Sequence, residues 1–344
     1  MNAILSKFVR KVGIGLAGAA ACAGVALAAD KSDGRRDFDR VLVIMMENHG
    51  FDNIIGRLSS AGTPLTPFIT DLALKSGLGT YYFGVTHPSL PNYLATIAGD
   101  FFGVQDDQPS CFASDLKTGQ ACHRFDGPNL VDQLEKKGIS WETLQESVPG
   151  VGFLGQQFPP SGPQLYAQKH NPFPYFTDIA TNPARLQKIK PFDLTALKTE
   201  LSHPATASRF IYISPNQCND QHGLALASTV PVCNTDEITI ALGDKFLSQT
   251  VPTIVNSPSF TERSALFIIW DENDFSTSLG CCGQPGGGHV PTIVVTKNSK
   301  PVRSSVAMSH YSLLATIEDG FDLPRLGNAR TAETMFSLFP DSDD

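Results

Sequence analysis

The chain has 344 residues, a formal net charge of −8, 41% hydrophobic residues and 17% charged ones. An acidic balance argues against nucleic acid as the main partner, because Lys and Arg are what hold phosphate backbones. It leaves open a small phosphate ester, whose charge a bound cation offsets locally.

In chain order, the first feature is a leader. Lys7, Arg10 and Lys11 form a positive start, Val12 to Ala28 is apolar and rich in small residues, and Ala26-Leu27-Ala28 fits a cleavage site. Residues 1–28 therefore read as a secretory signal peptide. A membrane anchor needs a longer apolar stretch. A lipoprotein anchor at Cys22 needs a large aliphatic residue where Ala19-Ala20-Ala21 stands. The signal implies a periplasmic or secreted protein. No internal repeat or linker divides residues 29–344, which read as one domain.

Arg40 to Met46 is a largely apolar run that stops at Glu47-Asn48-His49. Phe210 to Ile213 stops at Ser214-Pro215-Asn216, and Ala265 to Trp270 stops at Asp271-Glu272-Asn273-Asp274. Val290 to Val295 is a fourth run, preceded by Gly286-Gly287-Gly288-His289. Runs of this kind are strands buried on both faces of a parallel sheet. Helical spacing marks Pro91–Ala98, Asn129–Lys137, Asp236–Thr250 and Tyr311–Asp319 between them. The alternation predicts an α/β class: a three-layer sandwich around a mostly parallel sheet. Ligands of such sheets bind beyond the carboxyl ends of the strands, so the polar clusters converge on one edge.

Six of the seven cysteines lie beyond the leader, an even number that suits disulfides in an exported chain. Cys111 with Cys122 and Cys218 with Cys233 are spaced to close local loops, whereas a bond between adjacent Cys281 and Cys282 is strained. Paired CxxC elements, which a zinc–thiolate site uses, are absent.

Each polar cluster has two readings. Glu47 and Asn48 suit a divalent cation, yet Asn48 or Asp52 also suits a helix cap. Ser89 precedes a helix, where backbone amides hold phosphate oxygens, but serine is also a favoured cap. A serine nucleophile needs a base or metal beside it. Asp220 and His222 suit a metal, whereas Asn216 and Asn219 suit an Asx turn. Asp271, Glu272 and Asp274 repel one another unless a cation or proton is present. His289 follows a glycine run that lets backbone approach a ligand.

Together the clusters resemble one family: the bacterial and fungal phosphoesterases that include acid phosphatases and phospholipases C, within the alkaline-phosphatase-like superfamily. The matching segments are VIMMENHGFDNIIG (43–56), THPSLPNYLATIAGD (86–100), KHNPFPYF (169–176), SPNQCNDQHG (214–223), IIWDEND (268–274), GGGHVPTIVV (286–295) and HYSLLATIEDGF (310–321). The resemblance implies a divalent metal of open identity held by Glu47, Asn48, Asp271 and Glu272. It implies that Ser89 is the nucleophile, with Thr86 the nearest alternative. Asn92, Lys169, His170 and Asp220 then fall on the phosphate side, and His222 or His289 protonates the leaving group.

Two departures stand out. Gly50 occupies a position where the family often has Ser. Asp271-Glu272 replaces the Asp-His of many superfamily members, a shift toward oxygen ligands that weakens a two-zinc reading. The chain ends soon after the last motif, whereas the larger phospholipases C carry further C-terminal domains, so the acid-phosphatase-like branch is favoured. The expected function is phosphate-monoester hydrolysis through a phosphoserine. The alternatives are a phospholipase C-type phosphodiesterase, which implies membrane contact, and a non-catalytic exported binding protein. A sulfatase is disfavoured, because Ser89-Leu90-Pro91-Asn92-Tyr93 lacks the Arg of the C/S-x-P-x-R segment.

Overall fold

A computed structural model describes residues 36–224, 233–280 and 286–341. The leader and the Cys281-Cys282 pair lie outside these residues.

Eight strands form the main sheet: β1 (Arg40–Met46), β2 (Gly77–Gly79), β3 (Trp141–Gln145), β4 (Ile189–Pro191), β5 (Phe210–Ser214), β6 (Ser264–Trp270), β7 (Thr292–Thr296) and β8 (Val302–Ser304). Their spatial order is β8-β2-β7-β6-β1-β5-β3-β4. β1 lies between β5 and β6, parallel to both, with Met46 opposite Trp270. β7 runs antiparallel to both its neighbours, and the remaining pairings in the sheet are parallel. Every residue of β1 and β6 is buried, as expected where helices cover both faces of a sheet.

Six helices matter here: α1 (Pro67–Lys75), α2 (Ser89–Ala98), α3 (Leu130–Lys136), α4 (Leu194–Leu201), α5 (Asp236–Val255) and α6 (His310–Gly320). They fall into two packing groups: α2 contacts α3 and α6, and α5 contacts α1 and α4. This is the predicted three-layer α/β arrangement. Caps explain several helix ends. Asn129 and Asp132 form a reciprocal capping box at α3, and the Thr235 side chain accepts from Ile238 N–H at α5. Helix α2 ends at Gly99, whose φ is 67°. The spacing places the end of α5 at Thr250, but the helix continues to Val255 through Pro252. Buried Val251 and Ile254 hold that last turn against the core, so packing outweighs the missing N–H.

The strand directions position the site. Glu47 follows β1, Asp271 follows β6 and the segment from Pro215 follows β5, all at one rim of the sheet. Because β7 is antiparallel, His289 at its start lies on that same side. Disulfides join Cys111 to Cys122 and Cys218 to Cys233, the two local loops expected from spacing. Among the described residues, no helix is long and apolar enough to cross a membrane.

Candidate active site

Ser89 is the first residue of α2, and the helix cap is Pro88, with no side-chain cap bond. The serine hydroxyl therefore takes no capping role. It donates to Glu47 Oε2 at 3.0 Å and lies 3.5 Å from Lys169 Nζ. Ser89 is 1% exposed and Glu47 is fully buried. The Asp271 and Glu272 side chains also interact with Ser89. The positive end of a ten-residue helix thus meets three carboxylates.

Lys169 is the cation among these acids. Its Nζ donates to Asp107 Oδ2 at 3.0 Å and lies 3.2 Å from His222 Nε2. Burial alone lowers a lysine, but the charges of Glu47 and Asp107 outweigh it and hold Lys169 above its ordinary value. His222 Nδ1 lies 2.8 Å from the Gly223 carbonyl, so that nitrogen carries the proton and Nε2 accepts from Lys169. Burial, then Lys169, lowers His222 to about 4.

His170 lies between two acids, with Nε2 3.3 Å from Glu47 Oε1 and Nδ1 3.1 Å from Asp220 Oδ2. Its ring stacks on Tyr93 at 5.4 Å. Burial, then Lys169 and His222, keeps it well below its ordinary pKa. Asp220 Oδ1 accepts from His222 N–H at 2.7 Å. The resemblance puts His170 and Asp220 on the phosphate side; the structure places His170 between Glu47 and Asp220, and Asp220 against the His222 amide. The Asx-turn reading holds for Asn216, whose Oδ1 accepts from the N–H groups of Cys218 and Asn219.

The carboxylates all resist ionisation. Burial, then Asp271 and Asp220, pushes Glu47 well above the usual range. Burial, with the Asp271 charge adding to it, does the same to Asp220. Burial raises Asp271 to about 7 against the backbone amides of Asn48 and Glu272. Burial, then Asp271 and Asp107, raises Glu272 to about 10. Such a cluster calls for protons or a cation.

The donor atoms fit a cation. Glu47 Oε1, Asn48 Oδ1, Asp220 Oδ2 and Asp271 Oδ2 are buried without a hydrogen-bond partner, as is His170 Nε2. Donor atoms of Glu47, His170 and His222 all lie within 4.8 Å of one another. Asn48, at φ 54°, donates its N–H to Asp271 Oδ1 at 2.9 Å, which ties the end of β1 to the end of β6. Asn48 makes no helix cap, because the short helix at Phe51–Ile54 is capped by Gly50. The sequence marked Asp220 and His222 as suited to a metal, but not the grouping of His222 with His170 and Glu47. His170 and His222 come from different loops that meet at Glu47 only in three dimensions.

Two further expectations change. Asn92 Oδ1 accepts from Val85 N–H (2.7 Å) and Thr86 N–H (3.2 Å), and its Nδ2 donates to Thr86 O (2.7 Å) and Pro88 O (3.1 Å). Both ends of the amide shape the loop before Ser89, leaving nothing free for phosphate. His289 stacks on Phe51, with ring centres 4.8 Å apart, and lies beside Tyr81 and Phe83. Its Nε2 is buried without a hydrogen-bond partner. The glycines before it approach protein instead of ligand: a Cβ on Gly287 would stand 2.5 Å from Thr86 O.

Sequence reasoning assigned no role to His87 or Asp107. His87 Nδ1 lies 2.6 Å from Glu272 Oε2, its ring stacks on Phe275, and its Nε2 is buried without a partner. Asp107 holds Lys169 and also accepts from Leu90 N–H at 3.0 Å.

Comparison with known proteins shows what the chain is similar to. The chain is 29% identical over 307 residues to the phosphate-repressible acid phosphatase of Penicillium chrysogenum, covering 88% of this chain and 64% of that protein. It is 29% identical over 302 residues to a probable acid phosphatase of Kluyveromyces lactis, covering 84% and 60%. The chain thus spans about three fifths of the length of these fungal relatives. It is 28% identical over 306 residues to the phosphatidylinositol-3-phosphatase of Mycobacterium tuberculosis, covering 88% of this chain and 84% of that one. Among solved structures, the fold is shared with the PsFucS1 sulfatase of a Pseudoalteromonas species, with TM-score 0.54 and 14% identity, covering 88% and 72%. It is also shared with an alkaline phosphatase superfamily protein of Vibrio parahaemolyticus, with TM-score 0.50 and 12% identity, covering 89% and 73%. The model of the phosphoesterase family matches residues 63–324, and the chain belongs to that family.

Proposed function

We propose that this protein hydrolyses phosphate monoesters through a phosphoseryl intermediate on Ser89. The observation that carries the reading is the Ser89 hydroxyl, which donates to a buried carboxylate at 3.0 Å, with a lysine ammonium 3.5 Å away. A hydroxyl that already points its proton at a base, at the start of a helix, suits in-line attack on phosphorus.

The steps balance as follows. Ser89 Oγ attacks phosphorus, its proton passes to Glu47 Oε2, and the bond from phosphorus to the ester oxygen breaks. Glu47 suits the role by position, because its Oε2 already accepts the Ser89 hydroxyl, and a cation beside it would keep it ionised and able to take the proton. Lys169 steadies the phosphoryl oxygens and protonates the departing alkoxide. Water then attacks the phosphoserine and gives a proton to Lys169, while Ser89 Oγ leaves and recovers its proton from Glu47. His222 accepts from Lys169 and so orients it, in place of the leaving-group acid expected from the resemblance. Asn92 acts as a positioning residue.

A divalent cation fits the orphaned oxygens of Glu47, Asn48 and Asp271, with Glu272, His170, His222 and Asp220 beside them. When bound, it would neutralise the acids and polarise the phosphate. The two disulfides support an oxidising compartment, periplasmic or secreted.

The test is p-nitrophenyl phosphate hydrolysis by the protein with and without EDTA, beside Ser89→Ala. Loss of turnover in Ser89→Ala is expected, with 32P labelling of the wild type alone. Full turnover in Ser89→Ala would overturn the nucleophile. Activity confined to bis-p-nitrophenyl phosphate would replace the monoester reading with the diester one.

A further inference from the structure

A cavity of about 250 Å3 is lined by both Lys169 and Asp107. One wall is a two-stranded hairpin, Gln157–Phe158 paired with Tyr166–Ala167. The other lining groups are mostly glutamines. Three of these are engaged by the protein. Gln156 exchanges hydrogen bonds with Gln120 and Asp115, Gln168 accepts from Ser110 N–H and donates to Leu154 O, and Gln217 donates to Gln164 O. The side-chain amides of Gln157 and Gln164, by contrast, have no protein hydrogen-bond partner among the described residues. Both are partly exposed.

We infer that this cavity receives the alcohol arm of the substrate, and that the arm is a polyhydroxylated one of sugar or cyclitol size. The inference rests on the monoester reading above and deepens it. Lys169 joins the two places: its Nζ is 3.5 Å from the nucleophile, and the same residue lines the cavity. A phosphorus held at Ser89 therefore directs its ester oxygen past a single side chain into the glutamine pocket. A carboxamide offers a donor pair and an acceptor without charge, and a polyol offers both in return. An alkyl or aryl arm would leave those amides unpaired, and a site built for hydroxyls discriminates strongly for that reason. Size points the same way. Pockets for drug-sized ligands run to roughly 300–1,000 Å3, and a cavity at the small end of that range suits a single sugar ring.

The experiment compares kcat/KM for glucose 6-phosphate and myo-inositol 1-phosphate with that for p-nitrophenyl phosphate. The proteins are the wild type, Gln157→Ala, Gln164→Ala and the double variant, each checked for an unchanged melting temperature. Should truncation disturb the hairpin, Gln157→Glu and Gln164→Glu keep the size while removing the donor pair. The expected result is a wild type that prefers the polyol esters. The double variant should lose about tenfold on them, two neutral hydrogen bonds, and stay within about twofold on p-nitrophenyl phosphate. Equal losses on all three substrates, or none on the polyol esters, overturn the pocket's role. A wild type inactive on every ester, p-nitrophenyl phosphate included, overturns the phosphatase reading itself.

Discussion

His87 Nδ1 lies 2.6 Å from Glu272 Oε2, which joins the loop leading into helix α2 to the acidic end of strand β6. The nucleophile's loop is thus tied to one of the carboxylates around it. Burial holds His87 below its ordinary pKa, so the contact is between a neutral imidazole and a carboxyl group that prefers its proton.

Breaking that tie should displace Ser89 without unfolding the sheet. For His87→Ala, kcat on p-nitrophenyl phosphate is expected to fall roughly 10- to 100-fold. The melting temperature should move little, because the ring is at the rim. Steady-state kinetics beside a thermal melt checks both. Unchanged kcat would leave the contact without a function in turnover.

Asn92→Ala distinguishes a positioning residue from a phosphate ligand. Its amide satisfies four backbone groups of residues 85–88. Losing it should lower stability by about 2–4 kcal/mol and reduce kcat together. A phosphate ligand would instead raise KM and leave the denaturant midpoint in place. Urea melts and Michaelis curves on the same preparation separate the two.

Lys169→Met removes the one ammonium that reaches Ser89, Asp107 and His222 together. Turnover is expected to drop about 10²–10³-fold. Without Lys169, His222 loses one of the charges that lower it, so its proton uptake should move toward higher pH. NMR titration of the histidines reads that shift directly.

Stability should depend on pH in opposite ways with and without a cation. Asp271, raised to about 7, and Glu272, raised to about 10, bind protons in the folded state that the unfolded chain has released. The stability they contribute is full below the ordinary carboxylate range, near pH 4, and is lost as pH rises through 7 toward 10. In EDTA, the melting temperature should therefore fall between pH 5 and pH 8. A divalent cation prefers ionised ligands, so adding Ca2+, Mn2+ or Zn2+ in turn should flatten or reverse the slope. One slope shared by all conditions would argue against a cation among these acids.

The strands and their polar ends were legible because burial writes itself as an uninterrupted apolar run. β1 and β6 are such runs, and Glu47 and Asp271 follow them directly. The direction of β7 was not legible, since an apolar run has no polarity of its own, and the role of His289 came from the resemblance and not from its glycine neighbours. Asp107 sits in a loop with no periodicity, so nothing local marks it as the partner of a lysine 62 positions away. Asn92 shows the remaining limit: an amide turned to backbone and an amide turned to phosphate have the same sequence.

The Cys218–Cys233 bond brackets Asp220 and His222 on one side and ends two residues before the Thr235 cap of helix α5 on the other. The core strands contain none of its atoms. Assembly of the sheet and completion of its rim therefore answer to different conditions. The first needs only water, whereas the second also needs an electron acceptor. Reduction would release the tether of the histidine beside Lys169 while leaving every atom of the core strands covalently untouched.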